Sequence, residues 1–338
     1  MPNSRNKLTF VLIISLLAVL VLSSCGSNGV FAPKATPTPT ATPVPPTPTA
    51  VPAEIVWVNT TGSANDSIST IINDFAAQNS LQVRSLTALT NSDITAGTKI
   101  VVVSGTGIDT PALASAFPQV QFALLGGANS GSQANVSSIN SNPNDEAFMA
   151  GYLTELIAWD WRGAGLVTGA DAAGYADSFE NGGRYLCGTC APYYAPITMF
   201  PLFAFETDGS PASLWLNDAN NMSQYWLSVV FISPSAVSSD VIAALASRTY
   251  TDAVTFISTT AAPQDGSVKW SALLDADYAN PLKEMLPKLL SGQGGLSADA
   301  QITLTSVDTN VISQARLDLF NKTAAELSSG QVSSESIP

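Results

Sequence analysis

The chain contains no histidine among its 338 residues, and that one absence removes the imidazole general base, the Ser-His-Asp and Cys-His catalytic arrangements and every histidine-ligated metal site. Cysteine is nearly as scarce. The three present, Cys25, Cys187 and Cys190, cannot build a disulfide-dense scaffold or a four-thiolate zinc site. Charged residues make up only 12% of the chain, and 13 basic residues face 26 acidic ones, for a formal charge of -13. A chain so poor in lysine and arginine has no electrostatic footprint for nucleic acid, and none is expected as a partner. Gly105-Thr106-Gly107 and Gly126-Gly127 follow apolar runs, but neither has the spacing of a dinucleotide or phosphate loop, so both read as tight turns. No pair of acids stands at a spacing that suggests a carboxylate hydrolase. The chain is therefore not expected to be an enzyme, and no cofactor or metal is expected.

What is present begins at the N-terminus. Arg5 and Lys7 precede an apolar run from Leu8 to Leu22, followed by Ser23, Ser24 and Cys25. A basic start, a short apolar stretch and small residues before a cut form the layout of an export signal. The run is shorter than the roughly 20 residues that span a bilayer, so a retained membrane helix is the weaker reading. Leu22-Ser23-Ser24-Cys25 resembles a lipobox, in which cleavage leaves Cys25 as the lipidated first residue. An ordinary signal peptide with an incidental cysteine is the alternative. Cleavage removes two basic residues and no acidic one, which takes the formal charge from -13 to -15.

Pro33 to Pro52 then alternates proline with threonine and has little that could pack into a core. In a polyproline conformation, about 20 residues at ~3.1 Å each would reach about 60 Å. This segment reads as a stalk or as plain disorder, and either reading predicts no fold there. The expected organisation is a signal peptide over 1–24, a lipidated cysteine and Pro/Thr-rich linker over 25–53, and a folded domain over 54–338. The expected location is the extracytoplasmic face of a membrane, held by lipid.

The folded part alternates strand-like and helix-like runs. Strands are predicted at Glu54–Val58, Leu81–Ser85, Lys99–Ser104, Gln121–Leu125, Gly165–Thr168, Ile197–Phe203, Ser228–Ile232, Ala253–Ile257 and Gln301–Thr305. Ile100-Val101-Val102-Val103 is apolar at every position, as a strand buried on both faces requires, and this argues a parallel sheet covered by helices. Helical stripes include Phe148, Met149, Tyr152, Leu153, Leu156 and Ile157 after the acidic start Asn144-Asp145-Glu146. A second runs through Leu282, Met285, Leu286, Leu289 and Leu290 with a kink predicted at Pro287, and a third through Leu317, Phe320, Ala324 and Leu327. The predicted class is α/β, with two doubly wound lobes.

In that order the chain carries Phe117-Pro118-Gln119-Val120-Gln121-Phe122-Ala123, then Ala134-Asn135-Val136-Ser137-Ser138, then Glu146-Ala147-Phe148-Met149-Ala150-Gly151-Tyr152-Leu153, and ends on Leu327-Ser328-Ser329-Gly330-Gln331-Val332. These segments resemble the basic membrane protein lipoproteins, receptors with a type I periplasmic-binding-protein-like fold that serve nucleoside transporters. The resemblance implies two lobes with a ligand cleft between them, one over about 54–128 plus 269–292 and the other over about 135–260 plus 296–330. It also implies a small-molecule ligand, a nucleoside by inheritance, and an ABC permease and ATPase as partners. The family's acidic and lysine positions are replaced here by Gly126, Ser258 and the segment Ser271-Ala272-Leu273-Leu274. A surface sensor or interaction protein built on the same fold is the alternative.

Trp57, Phe203, Phe205 and Trp270 are the candidate aromatic walls of that cleft, with packing as their bland alternative. Asn59, Asn65 and Asp66 are candidate hydrogen-bonding residues, or else helix caps. Cys187-Gly188-Thr189-Cys190 is expected to close a short disulfide outside the cytoplasm, a redox-active pair being the alternative.

Overall fold

In the computed structural model the chain divides into two units, Met1–Thr49 and Ala50–Pro338. The described residues are 51–60, 66–126, 133–169, 173–190, 195, 197–207, 209–247, 254–259, 262–263 and 268–335, all in the second unit. The signal peptide, Cys25 and most of the linker lie outside them. Among the described residues no helix is long and apolar enough to cross a membrane.

Two six-stranded sheets organise the domain. The first holds β1 (Glu54–Asn59), β2 (Gln82–Leu86), β3 (Thr98–Ser104), β4 (Gln121–Leu125), β5 (Val136–Asn140) and the short β11 (Ser297–Asp299), in the order β11-β5-β4-β3-β1-β2, with every pairing parallel. The second holds β6 (Ala164–Thr168), β7 (Leu202–Phe205), β8 (Val229–Ile232), β9 (Thr255–Thr259), β10 (Trp270–Asp277) and β12 (Gln301–Thr305), in the order β12-β10-β9-β8-β6-β7. Only β12, beside β10, runs antiparallel there.

Period-two alternation along buried strands splits each sheet between two cores. On one face of the first sheet, Ile55, Trp57, Ile100 and Val102 pack against α1 (Asp66–Gln78) and α7 (Ala279–Leu290). On the other, Val56, Val58, Val101 and Phe122 meet α2 (Thr110–Ala116). In the second sheet, Leu166, Val229, Phe231 and Ile257 face α3 (Pro143–Ile157), α4 (Ala173–Cys187) and α8 (Gln314–Ser328). Val167, Val230, Ile232 and Phe256 face α5 (Ala212–Ser223) and α6 (Ser239–Ala246). This is the two-lobed α/β architecture expected from the sequence.

The chain passes between the sheets three times: from β5 to α3, from β10 to α7 and from β11 to β12. These passages correct the expected lobe boundaries. β5 and β11 belong to the first sheet and β10 to the second, so the crossings fall at 140–143, 277–279 and 299–301 rather than near 128–135, 260–269 and 292–296.

Other expectations shift locally. The strand expected at Ile197–Phe203 begins at Leu202 and runs to Phe205, because Pro201 has no N–H to give a ladder. The helix expected to kink at Pro287 runs through it to Leu290. Cys187 and Cys190 are joined as a disulfide at the end of α4, with Cα atoms 5.5 Å apart.

Candidate functional site

Parallel strands deliver their C-terminal ends to one edge of a sheet, and open α/β sheets bind ligands beyond that edge. At the first crossing, Asn140 ends β5 and Ser141-Asn142 leads into α3. Asn142 caps the helix by accepting a hydrogen bond from the Asn144 N–H at 2.9 Å, and Pro143 occupies the first turn, where its missing N–H costs nothing. Asp145 and Glu146 follow in that first turn. Their charge suits the helix N-terminus, and Glu146 also lines a pocket beside the crossing.

A pocket of about 280 Å³ opens here, lined by Ser141, Asn142, Pro143, Glu146 and Tyr175 together with Ser233, Pro234 and Ser235. The last three belong to the turn that follows β8, so the pocket joins the crossing to the strand ends of the second sheet. Its walls differ in chemistry. On one, the Tyr175 hydroxyl donates to Glu146 Oε1 at 2.8 Å, and the Tyr175 ring stacks on Phe231 with centroids 6.3 Å apart. Burial pushes the Glu146 carboxyl above its ordinary range; the Tyr175 hydrogen bond opposes the shift and the nearby charge of Asp275 adds to it. Burial likewise drives the Tyr175 phenol well up, so it stays protonated as a donor.

The other wall is a knot of hydroxyls. Ser233 Oγ donates to Thr168 Oγ1 at 3.0 Å and lies 3.0 Å from Ser235 Oγ, which also accepts from the Gly169 N–H at 3.1 Å. Above the crossing, Tyr278 of the β10 to α7 passage approaches Gly126 at the end of β4. A Cβ at Gly126 would stand 2.9 Å from the Tyr278 hydroxyl, and its φ of +69° also favours glycine. Carboxylate, phenol, amide and hydroxyl groups can together hold a small polar solute beside the crossing.

The sequence candidates are distributed differently from the expectation. Trp57 is only 5% exposed and packs in the core beneath α1 and α7, so it cannot form a cleft wall. Trp270 opens β10 at the end remote from the crossing, where its Nε1 donates to the Pro263 carbonyl at 3.2 Å and its ring meets Phe256 edge-on. Phe203 and Phe205 sit on the edge strand β7, 48% and 46% exposed, stacked on one another with centroids 6.2 Å apart. These four aromatics do not face each other as a sandwich. Asn59 ends β1 opposite Ser104 of β3, at the C-terminal edge of the first sheet. Asp66 is the first residue of α1, and Asn65 lies outside the described residues.

Of the positions at which the resemblance implies charged ligand residues, Gly126 does lie at a strand end, but Ser258 is fully buried and donates to the Ile232 carbonyl at 2.7 Å. Ser271 to Leu274 are interior residues of β10. Glu146 and Tyr175 went unrecognised as pocket residues. Glu146 reads from sequence as a helix-start carboxylate, and only the crossing after Val136–Asn140, a strand masked by its two buried serines, turns it toward the pocket.

No known family's sequence profile matches the chain, and no curated protein matches it significantly. Solved structures do. An ABC transporter system solute-binding protein from Conexibacter woesei is 15% identical, with a TM-score of 0.57 over 85% of this chain and 98% of that one. A transcriptional activator of the comK gene from Bacillus halodurans is 9% identical, with a TM-score of 0.53 over 81% of this chain and 97% of that one. Both likenesses are of fold, and the fold is the two-lobed, periplasmic-binding-protein-like one.

Proposed function

We propose that this chain is a membrane-tethered receptor that binds a small solute in the pocket between its lobes and delivers it to an ABC permease and its ATPase. The observation that carries this reading is the pocket itself. It is built beside the β5 to α3 crossing, from α3, α4 and the turn after β8, so a solute held there sits next to one of the three passages about which lobe closure would turn. The export signal, Cys25 and the Pro/Thr-rich stalk support a receptor held outside the cytoplasm by lipid. They also separate this reading from transcriptional control, which the Bacillus halodurans structure shares as a fold.

Kinship with the basic membrane protein lipoproteins rests on the ordered sequence segments, and a nucleoside is the ligand that kinship offers. The loss of its charged positions leaves Glu146, Tyr175 and the hydroxyl wall as the groups that would have to replace them. The alternative of a surface sensor without transport keeps the same pocket and changes only the partner.

The test is a thermal-shift and calorimetric screen of the full-length chain in detergent micelles against nucleosides, bases, sugars, cyclitols, amines and amino acids. A ligand that binds only the folded state raises the melting temperature by mass action. A saturable shift is expected from at least one class. Silence from every class, with the protein shown to be folded, sinks the receptor reading.

A further inference from the structure

Among the described residues that line it, the pocket contains a carboxylate but no cation. Its only ionisable groups among the described lining residues are Glu146 and Tyr175, and Tyr175 donates to that carboxylate. The distribution of basic residues makes this a property of the whole strand-end edge. The connections that leave the C-terminal ends of β1 to β8 and of β10 contain no lysine or arginine anywhere in their sequence. The connection from β9 has one, Lys269, at its last position before β10, and its ammonium pairs with Asp308. The same connections carry Asp109, Asp171, Glu206, Asp208 and Asp265, whereas Asp93, on the β2 to β3 connection, lies beside Arg84.

The domain's other basic residues are placed elsewhere. Arg84 pairs with Glu54 at the N-terminal end of β1, and Arg162 pairs with Asp160 ahead of β6. Arg184 and Lys322 pair along their own helices, and Arg316 donates to the Val311 carbonyl. Lys99 lies near the start of β3 and Lys283 and Lys288 lie on α7. Arg248, outside the described residues, belongs to the connection entering the N-terminal end of β9.

We propose, resting on the receptor reading, that the solute held here carries a protonated amine received by Glu146, with hydroxyls facing Ser233 and Ser235, and that anionic solutes are rejected. A buried carboxylate whose charge is opposed by burial first and by the charge of Asp275, which does not line the pocket, gains most from a ligand that brings a positive charge. The hydroxyl wall supplies neutral donors and acceptors but no compensating charge. A phosphate or carboxylate ligand would meet no cation on any strand-end connection except the paired Lys269.

The experiment is calorimetry on the full-length chain in detergent micelles with probes matched in shape and differing in charge. The sets are glucosamine, glucose and glucuronate, and putrescine, 1,4-butanediol and succinate, alongside the broad screen. The amine member is expected to bind at least about tenfold more tightly than its neutral and anionic counterparts, and its affinity to fall as salt rises. Glu146→Gln is expected to remove that preference. Should this variant fail to fold, the salt dependence of the native chain and the loss of affinity in Tyr175→Phe decide instead.

Tighter binding of a neutral or anionic member, or undiminished amine affinity in a folded Glu146→Gln, overturns the proposal and leaves the receptor reading standing. If both matched sets are silent, the charge of whatever the broad screen finds decides. An amine supports the proposal and any other class overturns it. Silence throughout removes the receptor reading itself.

Discussion

The two lobes are built on sheets of the same size, yet they bury their glutamates in opposite ways. In the first lobe, Glu54 at the start of β1 accepts from Arg84 Nε at 3.1 Å, Arg84 Nη2 at 3.0 Å, Thr98 Oγ1 at 2.7 Å and Thr95 Oγ1 at 2.9 Å. Those bonds, the guanidinium first, hold its carboxyl down at about 2. In the second lobe, Glu155 on α3 has a buried Oε2 with no hydrogen-bond partner among the described residues, and burial with the charge of Asp160 pushes it up to about 7. Burial raises a carboxyl unless donors accompany it, so local partners and not depth set the sign. Helix packing differs too. α1 and α7 meet through Ile72, Leu282, Met285 and Leu286, whereas α3 and α4 meet backbone to backbone at glycines.

That second contrast gives the largest expected effect. A Cβ added at Gly151 would collide with the Phe179 carbonyl, and one at Gly182 with the Phe148 carbonyl, a reciprocal pair of contacts that locks the two helices together. Because backbone atoms cannot swing aside, Gly151→Ala and Gly182→Ala should each cost about 3 kcal/mol in urea unfolding. Values under about 0.5 kcal/mol, typical of surface substitutions, would mean that the two lobes are packed alike after all.

Glu54 is the next test. Its carboxyl is lowered from about 4.5 to about 2 on folding, so its contribution is fully present above about pH 4.5 and is lost as the pH falls through about 2. A shift of this size corresponds to at most about 3 kcal/mol, and Arg84 and Glu54 are partly open to solvent, so Glu54→Gln should destabilise by about 2 kcal/mol at neutral pH. It should also flatten the acid limb of the stability curve. An unchanged limb would show that Arg84 and the two threonines do not hold the charge.

Much of this fold could be read from sequence because buried parallel strands announce themselves. Ile100 to Val103 and Val229 to Ile232 are apolar at every position, and Gln121–Leu125 and Gln301–Thr305 are strands as expected. The three strands that escaped notice are polar ones. β5 hides behind Ser137 and Ser138, β10 alternates through Ser271, Asp275 and Asp277, and β11 is three residues long. All three end at crossings, where the chain leaves one sheet for the other and apolar patterning stops. The apolar pattern therefore does not mark where the lobes exchange chain. Nor does it mark the pocket at the first crossing, whose lining is a carboxylate, a phenol, an amide and serines. Trp57 shows the general difficulty: a large ring near a strand end reads the same whether it faces ligand or core, and only the packing of α1 and α7 over that face of β1 decides.

The smallest effect is also the one of opposite sign. Glu155 binds its proton more tightly in the folded chain than in the unfolded one, so between about pH 4.5 and about pH 7 the folded state holds more protons and stability falls as pH rises. Below that window the group is neutral in both states and makes no difference; above it the full penalty applies. Glu155→Gln removes the charge, but it still buries an amide where Oε2 has no partner, which offsets part of the gain. A net stabilisation of about 1 kcal/mol is expected at about pH 8, with none at about pH 4. Thermal unfolding of Glu155→Gln beside Glu54→Gln at both pH values makes the comparison direct. The first variant should gain where the second loses, and a loss in both at about pH 8 would show that Glu155 has a stabilising partner as Glu54 does.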